Sequence, residues 1–216
     1  MDNYYVLLGL EAGSYIQEQF LLHHDAKWVG VDRGAHLLIE QGIRPHLSIG
    51  DFDSVSPPEM QVIEKHSQKV VRLPVDKDYT DTELAVLEIL RENKKARIYL
   101  FNDSKSRLDH FINILWLPIK EEFRTHAEQI YFSDSHNKVS YYLPGDHRIE
   151  KEQEKPVVSF GSLLPVKGLT LSGFEYPLTR ADIAVPTMYT SNRFLSHEGR
   201  FSFEEGLLMV IQSADN

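Results

Sequence analysis

Two carboxylates flank a single phenylalanine in the segment GDFDS, where Asp51 and Asp53 follow an apolar stretch that ends in Gly50. Like charges this close repel each other, so the pair is either well solvated or shares a positively charged partner. The segment by itself makes neither a standard hairpin turn nor a helix cap. We therefore treat the pair as a candidate cation site.

Further charged residues occupy equivalent places, each shortly after an apolar run. Asp32 follows KWVGV, and Arg107 and Asp109 come shortly after ARIYLFN. A third group follows KVVRLP and consists of Asp76, Lys77, Asp78 and Asp81. If the apolar runs are parallel strands, their carboxyl ends share one sheet edge, which is where open α/β sheets bind ligands. We expect these side chains to converge there.

Several of these motifs also have purely structural explanations. The segments TDTE (residues 80–83) and SRLD (residues 106–109) both fit a capping box at a helix start. Asp76 and Asp78 are typical turn residues. A lone helix histidine such as His110 is more often structural than functional. Convergence on one sheet edge favours a shared acidic site over these alternatives.

The ligand type indicates which cation such a site would hold. Oxygen ligands suit hard divalent cations, and Mg²⁺ usually takes one or two carboxylates plus substrate phosphates. Zinc is disfavoured because the chain has no cysteine and no HExxH motif. GLEAGS (residues 9–14) lacks the lysine of a P-loop, so a metal would have to bridge carboxylates and polyphosphate. Arg107, Lys77 and Arg33 are candidates to add positive charge.

The elements that must position these residues alternate between apolar strands and helical segments up to about residue 126. Repeated strand–helix units predict a three-layer α/β domain with a mainly parallel sheet. The predicted strands cover residues 4–10, 27–32, 47–49, 69–74 and 96–102.

From residue 127 the pattern changes to short apolar runs separated by Gly, Pro, Asp and Asn. This pattern predicts an all-β, sandwich-like domain. The polar stretch KEEFRTHAEQ (residues 120–129) marks the junction. We therefore predict an α/β catalytic domain at residues 1–126 and a β domain at residues 127–216.

Composition narrows the class of protein. A net charge of -9 argues against binding to nucleic acid, which normally needs a basic face. No apolar run approaches the length of a membrane span, and the first residues do not resemble a signal peptide. The absence of cysteine fits a reducing compartment. We expect a cytoplasmic protein that binds neither nucleic acid nor membrane.

Taken together, the motifs resemble the thiamine pyrophosphokinase (thiamine diphosphokinase) family. The resemblance rests on GVDRGAHLLIEQGIRPHLSIGDFDSV, DKDYTDTELA, SRLDH and TSNRF in that order, followed by a final GLLMVI strand. It implies an ATP-dependent, Mg²⁺-requiring transfer of a pyrophosphoryl group to the hydroxyl of thiamine, giving thiamine diphosphate and AMP. It also implies an α/β domain, a β domain and a homodimer whose active sites use both subunits.

Position by position, the resemblance implies roles for individual residues. Asp51, Asp53 and Asp81 would hold Mg²⁺ around the ATP phosphates, and Arg107 would offset charge on the transferred group. Ser191 and Asn192 match the segment that lines the thiamine pocket. The full set of further residues expected to bind substrate or cofactor is Asp32, Arg33, Lys77, Asp78, Asp109, Ser191 and Asn192.

Two departures from the family pattern concern the binding sites. Lys105 and Ser106 replace small residues of a glycine-rich turn that usually comes before Arg-x-Asp-His. Met209 stands where animal relatives carry a tryptophan that stacks on thiamine. A thioether packs on a ring, but it cannot make the same cation–π contact.

Two other functions fit parts of the sequence. DFDSV matches the DxDx[TV] pattern of haloacid-dehalogenase-type phosphatases, in which the first aspartate is a nucleophile. Those proteins place it after the first strand, whereas two strand–helix units come first here. A non-catalytic sensor of thiamine or nucleotide would bind its ligand without forming AMP. The fuller acidic set, which includes Asp81, argues against a decayed site.

Overall fold

The structure is a computed structural model that describes residues 2–8, 14–24, 26–102 and 107–215. The chain forms two compact units, residues 1–114 and 115–216. The division lies between Ile114 and Leu115, earlier than the predicted boundary after residue 126. It falls inside the helix that spans Leu108–Trp116, so the polar stretch that marked the predicted junction belongs to the second unit.

The first unit is built on parallel strands in the order β5-β1-β2-β3-β4, which confirms the predicted sheet. The strands are β1 (Asn3–Leu8), β2 (Lys27–Val31), β3 (Leu47–Gly50), β4 (Val70–Arg72) and β5 (Arg97–Phe101). The helices are α1 (Ser14–Leu22), α2 (Arg33–Glu40), α3 (Pro57–His66), α4 (Asp81–Glu92) and α5 (Leu108–Trp116).

Helices cover this sheet, which is why its strands read as nearly continuous apolar runs. Tyr5 of β1 packs in one cluster with Phe20 of α1 and Leu38 of α2. The chain steps in one direction from β1 to β4 and then returns through α4 to β5. Right-handed connections therefore place α4, which buries Val86 and Ile89, on the opposite face from α1 to α3. The result is the predicted three-layer arrangement.

The second unit consists of two antiparallel sheets, in the orders β12-β9-β14-β7-β6 and β11-β10-β13-β8. A short helix, α6 (Glu121–Arg124), and two 3₁₀ turns, Leu117–Ile119 and Ala127–Gln129, come before them. The strands are β6 (Ile130–Ser133), β7 (Asn137–Tyr142), β8 (Gly145–Glu150), β9 (Val157–Ser162), β10 (Val166–Ser172), β11 (Leu178–Ile183), β12 (Thr187–Arg193), β13 (Glu198–Phe203) and β14 (Leu208–Ser213).

Side chains from both sheets of this unit share one apolar core, as the predicted sandwich requires. Phe160 of β9 lies at its centre, with ring centroids 5.1 Å from Phe174 and 5.5 Å from Phe201 of β13. Leu171 of β10 and Val210 of β14 belong to the same cluster.

Two strands of this unit, β11 and β12, were not predicted from the sequence. Each is the outermost strand of its sheet, and most of its residues are exposed or half-buried. Such strands lack the apolar pattern that reveals buried ones. Among the described residues, no helix combines the length and apolar composition that crossing a membrane requires.

Candidate functional site

The carboxyl ends of the parallel strands open into a cavity of about 580 Å³ in the first unit. A cavity of this size falls in the range of small-molecule sites. Its polar wall includes six residues singled out from the sequence, namely Asp32, Asp51, Lys77, Asp81, Arg107 and Asp109. The predicted convergence at this sheet edge is therefore present in the structure.

Asp32 lies at the sharp junction between β2 and α2. Its backbone has φ 49°, a left-handed conformation that is costly for a residue with a side chain. Its Oδ1 accepts a hydrogen bond of 3.1 Å from the backbone N–H of Phe52, which ties the ends of β2 and β3 together. Gly50 makes this contact possible, because a Cβ there would lie 1.9 Å from Oδ1 of Asp32.

Asp51 lies directly after β3 and is fixed by two donors. Its Oδ1 accepts a hydrogen bond of 3.2 Å from the backbone N–H of Asp53, and its Oδ2 accepts one of 3.1 Å from Nζ of Lys77. The side chain of Lys77 is only 11% exposed and also lies 3.0 Å from Oδ1 of Asp81. The carboxylates therefore meet around a partly buried ammonium group.

Asp81 is the first residue of α4, where the helix dipole favours a negative charge. The predicted capping box is confirmed: Thr80 Oγ1 accepts a hydrogen bond from the N–H of Glu83, and Glu83 Oε2 accepts one from the N–H of Thr80. These bonds leave the carboxylate of Asp81 outside the cap. The structural and functional interpretations of this segment are thus compatible.

Asp32, Asp51 and Asp81 form the group that could hold a metal ion, since one carboxylate oxygen from each lies within 4.8 Å of the others. Oxygen donors of this kind suit Mg²⁺. Oδ1 of Asp81 is buried and has no hydrogen bond of good geometry among the described residues, although Nζ of Lys77 forms an ion pair with it at 3.0 Å. An oxygen in that state is available to a cation.

The predicted ligand set and the observed group share Asp51 and Asp81 but differ in the third member. Asp53 is exposed on the turn after β3, and Asp32 takes its place in the group. The role of Asp53 as a ligand stays a prediction.

The charges of the site perturb one another. Burial raises the pKa of Asp32 to about 6. The hydrogen bond from the N–H of Phe52 lowers this pKa, whereas the nearby carboxylates of Asp81, Asp51 and Asp53 raise it further. Burial also tends to raise the pKa of Asp51, but the Asp53 N–H and the Lys77 ammonium hold it below its ordinary value. The site therefore has more negative charge than its own residues neutralise.

Arg107 and Asp109 form a pair on the cavity wall. The guanidinium donates two hydrogen bonds, with Nε 3.2 Å from Oδ1 of Asp109 and Nη2 2.6 Å from Oδ2. Both side chains are largely exposed, so the pair fixes the orientation of Arg107 more than it stabilises the fold. The SRLD capping box rests on Ser106, which with Lys105 lies outside the described residues.

Two predicted binding residues are not brought to the cavity wall. Arg33 is exposed on α2 and lies 3.7 Å from Glu59 of α3. Asp78 is exposed in the segment between β4 and α4. Their roles as binding residues stay predictions.

The cavity also includes polar residues that the sequence did not single out. Asn102 follows β5 and is 6% exposed, and Asn113 Nδ2 donates to Thr80 Oγ1 over 3.4 Å. His110, which the sequence analysis weighed as structural, lines the cavity as well. The spacing of Asp109 and Asn113, one helical turn apart, was the available signal because it places both on one face of α5.

In the second unit, Ser191 and Asn192 lie at an irregularity of β12, between Tyr189 and the end of the strand. Ser191 has φ 60°, and its N–H lies 3.3 Å from Oγ of Ser159. Asn192 is buried, and its amide exchanges hydrogen bonds of 2.9 and 2.8 Å with the N–H and C=O of Tyr176. Asn192 therefore holds the backbone of a neighbouring segment.

A second cavity, of about 330 Å³, lies beside these residues within the same unit. Asn192, Tyr176 and Met188 are among the residues that line it. Met209 is 4% exposed and is not among those residues. The roles of Ser191, Asn192 and Met209 towards thiamine stay predictions.

Comparison with known families gives two matches. Residues 19–131 match a family model described as "Thiamin pyrophosphokinase, catalytic domain". Residues 146–208 match one described as "Thiamin pyrophosphokinase, vitamin B1 binding domain".

Individual proteins give the same result. A thiamine pyrophosphokinase from Bacillus subtilis (strain 168) is 35% identical over 193 residues, which cover 87% of this chain and 87% of that protein. The crystal structure of a thiamin pyrophosphokinase family protein from Enterococcus faecalis matches with a TM-score of 0.91 and 32% identity, covering 100% of both chains. That of the Bacillus subtilis thiamine pyrophosphokinase matches with a TM-score of 0.84 and 30% identity, again over 100% of both.

Proposed function

This chain belongs to the thiamin pyrophosphokinase family, and we propose that it transfers the pyrophosphoryl group of ATP to the hydroxyl of thiamine. The products are thiamine diphosphate and AMP. The structural observation that supports this function is that Asp32, Asp51 and Asp81 converge in a cavity at the strand ends.

In this reaction the hydroxyl oxygen of thiamine forms a bond to the β-phosphorus of ATP. The bond between that phosphorus and the bridging oxygen of the α-phosphate breaks, AMP leaves, and the hydroxyl proton is released. Little covalent chemistry is required of the protein, so catalysis rests on positioning and on electrostatic stabilisation.

Mg²⁺ is the cofactor that the donor set fits, and when bound it would neutralise charge on the polyphosphate and favour departure of AMP. Asp51 and Asp81 would hold it, together with Asp32 from the observed group or Asp53 from the predicted set. The acidic residues then bind an anion only through the metal. This explains how a chain with a net charge of -9 binds ATP.

Arg107 supplies a second positive charge. Its guanidinium is oriented by Asp109 on the wall of the cavity, where it offsets negative charge that develops on the transferred group. Thiamine itself carries a fixed positive charge, which the acidic surroundings attract. We assign its pocket to the segment around Ser191 and Asn192 because that segment matches the family motif.

The direct test is an assay of AMP and thiamine diphosphate by chromatography after mixing the protein with thiamine, ATP and MgCl₂. The wild type forms both products in equal amounts, and a chelator stops the reaction. Asp81→Asn should lower kcat/KM at least about a hundredfold, since it removes a charge from the metal site. Glu64→Gln, which alters an exposed partner of Arg72 on α3, is the matched control and should leave the rate unchanged.

The same assay separates the alternatives. A sensor would bind thiamine in calorimetry without forming AMP. A phosphatase of the DxD type would form an aspartyl-phosphate on Asp51 without any need for ATP, but Asp51 follows the third strand of the chain, not the first. The homodimer and the cytoplasmic location implied at the outset stay predictions, and analytical ultracentrifugation measures the first.

A further inference from the structure

The ammonium group of Lys77 occupies the space between two of the candidate metal ligands. Its Nζ lies 3.1 Å from Oδ2 of Asp51 and 3.0 Å from Oδ1 of Asp81. A third contact, of 2.9 Å, runs to the carbonyl oxygen of Pro74. With 11% of its side chain exposed, Lys77 is packed into the site and does not extend from its rim.

An ammonium in this position does only part of what a divalent cation would do. It brings one positive charge to three carboxylates, donates a hydrogen bond to Asp51, and forms an ion pair with the buried Oδ1 of Asp81. A metal bound to both oxygens would have to come close to the place that Nζ now holds. Lys77 and the metal therefore compete for the same carboxylates.

We propose that Lys77 is a built-in counter-ion that takes the place of the divalent cation in the metal-free site and is displaced into the cavity when the metal arrives with the nucleotide. The inference rests on the proposed metal-dependent function. Among the described residues that line the cavity, the other permanent cation is Arg107, which Asp109 already holds. Lys77 is therefore the cation that can move from carboxylate to phosphate.

This exchange makes the binding of metal and of nucleotide interdependent. Without nucleotide, the metal must break two ion pairs and leave the ammonium without an anion, so it binds weakly. With nucleotide, the polyphosphate supplies new oxygen partners for both cations, so each ligand strengthens the binding of the other. A lysine that served only to tie the segment after β4 to α4 would produce no such coupling.

The first experiment measures the binding of Mn²⁺ alone to the nucleotide-free protein by electron paramagnetic resonance. Lys77→Met should bind Mn²⁺ at least about tenfold more tightly than the wild type, since a competing charge about 3 Å from two ligands is gone. Lys77→Arg keeps the charge and should bind no more tightly than the wild type. Lys69→Met is the matched control, because Lys69 pairs with Glu88 on the exposed surface.

The second measurement adds ATP without thiamine. In the wild type, ATP should strengthen Mn²⁺ binding by a larger factor than it does in Lys77→Met. Equal factors in the two proteins, or Mn²⁺ affinity in Lys77→Met that is unchanged or weaker, would overturn the proposal.

A third measurement uses only the wild type and so does not depend on the folding of a variant. Reaction of lysines with an amine-selective reagent, read by mass spectrometry, should increase at Lys77 when Mn²⁺ is added and decrease when ATP follows. Lys69 serves as the internal reference. Constant reactivity at Lys77 under saturating Mn²⁺ contradicts displacement. Loss of AMP formation by the wild type would instead refute the proposed function, which these binding measurements do not use.

Discussion

Replacing Gly50 by alanine adds one methyl group beside Asp32, and we expect this substitution to destabilise the site strongly. The φ of +155° at Gly50 is a conformation that residues with side chains rarely adopt, and an added Cβ would lie 1.9 Å from Oδ1 of Asp32. Gly50→Ala therefore has two separate costs. One is strain in its own backbone, and the other is displacement of the Asp32 carboxylate from the hydrogen bond with Phe52.

The two costs can be assigned magnitudes. A residue held in a sparsely populated backbone region costs about 1–3 kcal/mol. Loss of a hydrogen bond to a charged acceptor costs about 1.5–3 kcal/mol. We therefore expect Gly50→Ala to lower the free energy of unfolding by about 2.5–6 kcal/mol, a large fraction of the stability of a typical domain.

A double-mutant cycle separates these terms. Asp32→Ala removes the obstacle, so Gly50→Ala in that background should cost only the backbone strain. The double variant should be about 1.5–3 kcal/mol more stable than the sum of the single effects, and this difference is the contribution of the collision. Urea unfolding followed by circular dichroism, in the presence of a chelator, gives all the free energies needed.

The outcome that refutes this reasoning is additivity. If Gly50→Ala costs the same with and without Asp32, the close approach of the two residues does not limit the substitution. If Gly50→Ala is tolerated within about 0.5 kcal/mol, neither the backbone at Gly50 nor the close approach to Asp32 constrains this position. Ala35→Gly offers a control on the same junction, because it removes a methyl group from α2 without approaching Asp32.

Two further predictions concern elements around the site. Thr80→Ala should lower the free energy of unfolding by about 1 kcal/mol because Glu83 N–H loses its cap, and a change below about 0.3 kcal/mol in urea unfolding would contradict this. Burial tends to raise the pKa of Glu92, but contacts with His46 and Tyr4 hold it below its ordinary value of 4.5. Its contribution to stability is therefore present above pH 4.5 and lost as the pH falls through the lower folded-state pKa. Glu92→Gln should accordingly be less stable than the wild type at pH 7, with the difference shrinking towards pH 3; a constant difference would rule out this linkage.

The parts of the fold that the sequence predicts are those in which burial imposes a pattern. The parallel strands are covered on both faces, so they appear as apolar runs, and their parallel direction follows from the alternation with helices. The edge strands β11 and β12 present exposed polar side chains such as Arg180 and Arg193, and no periodic signal marks them. The predicted boundary after residue 126 rests on the polar stretch around residue 120, which clusters by contact with the second unit.

Within the site, the sequence indicated which residues lie close together but not which carboxylates form one group or which contacts they make. The strand ends brought Asp32, Asp51, Asp81 and Lys77 together, as parallel topology requires. The sequence could not show that Asp32 joins Asp51 and Asp81 in one group, because that depends on the backbone conformation of two junctions. Nor could spacing show that the ammonium of Lys77 lies between the carboxylates.

Some residues have backbone conformations that residues with side chains normally disfavour. Among the described residues, the non-glycine positions with positive φ are Asp32, Phe52, Ser191 and Arg180. The first two enclose the acidic group, and Ser191 lies in the segment assigned to thiamine, so strain coincides with proposed function in both units. Such conformations persist only when the surrounding structure enforces them, and they cluster at functional sites. Because Ser191 was chosen from a sequence motif and its strain was observed independently, the coincidence strengthens the assignment of that segment. Arg180 lies in neither segment; its side chain is exposed and paired with Glu204.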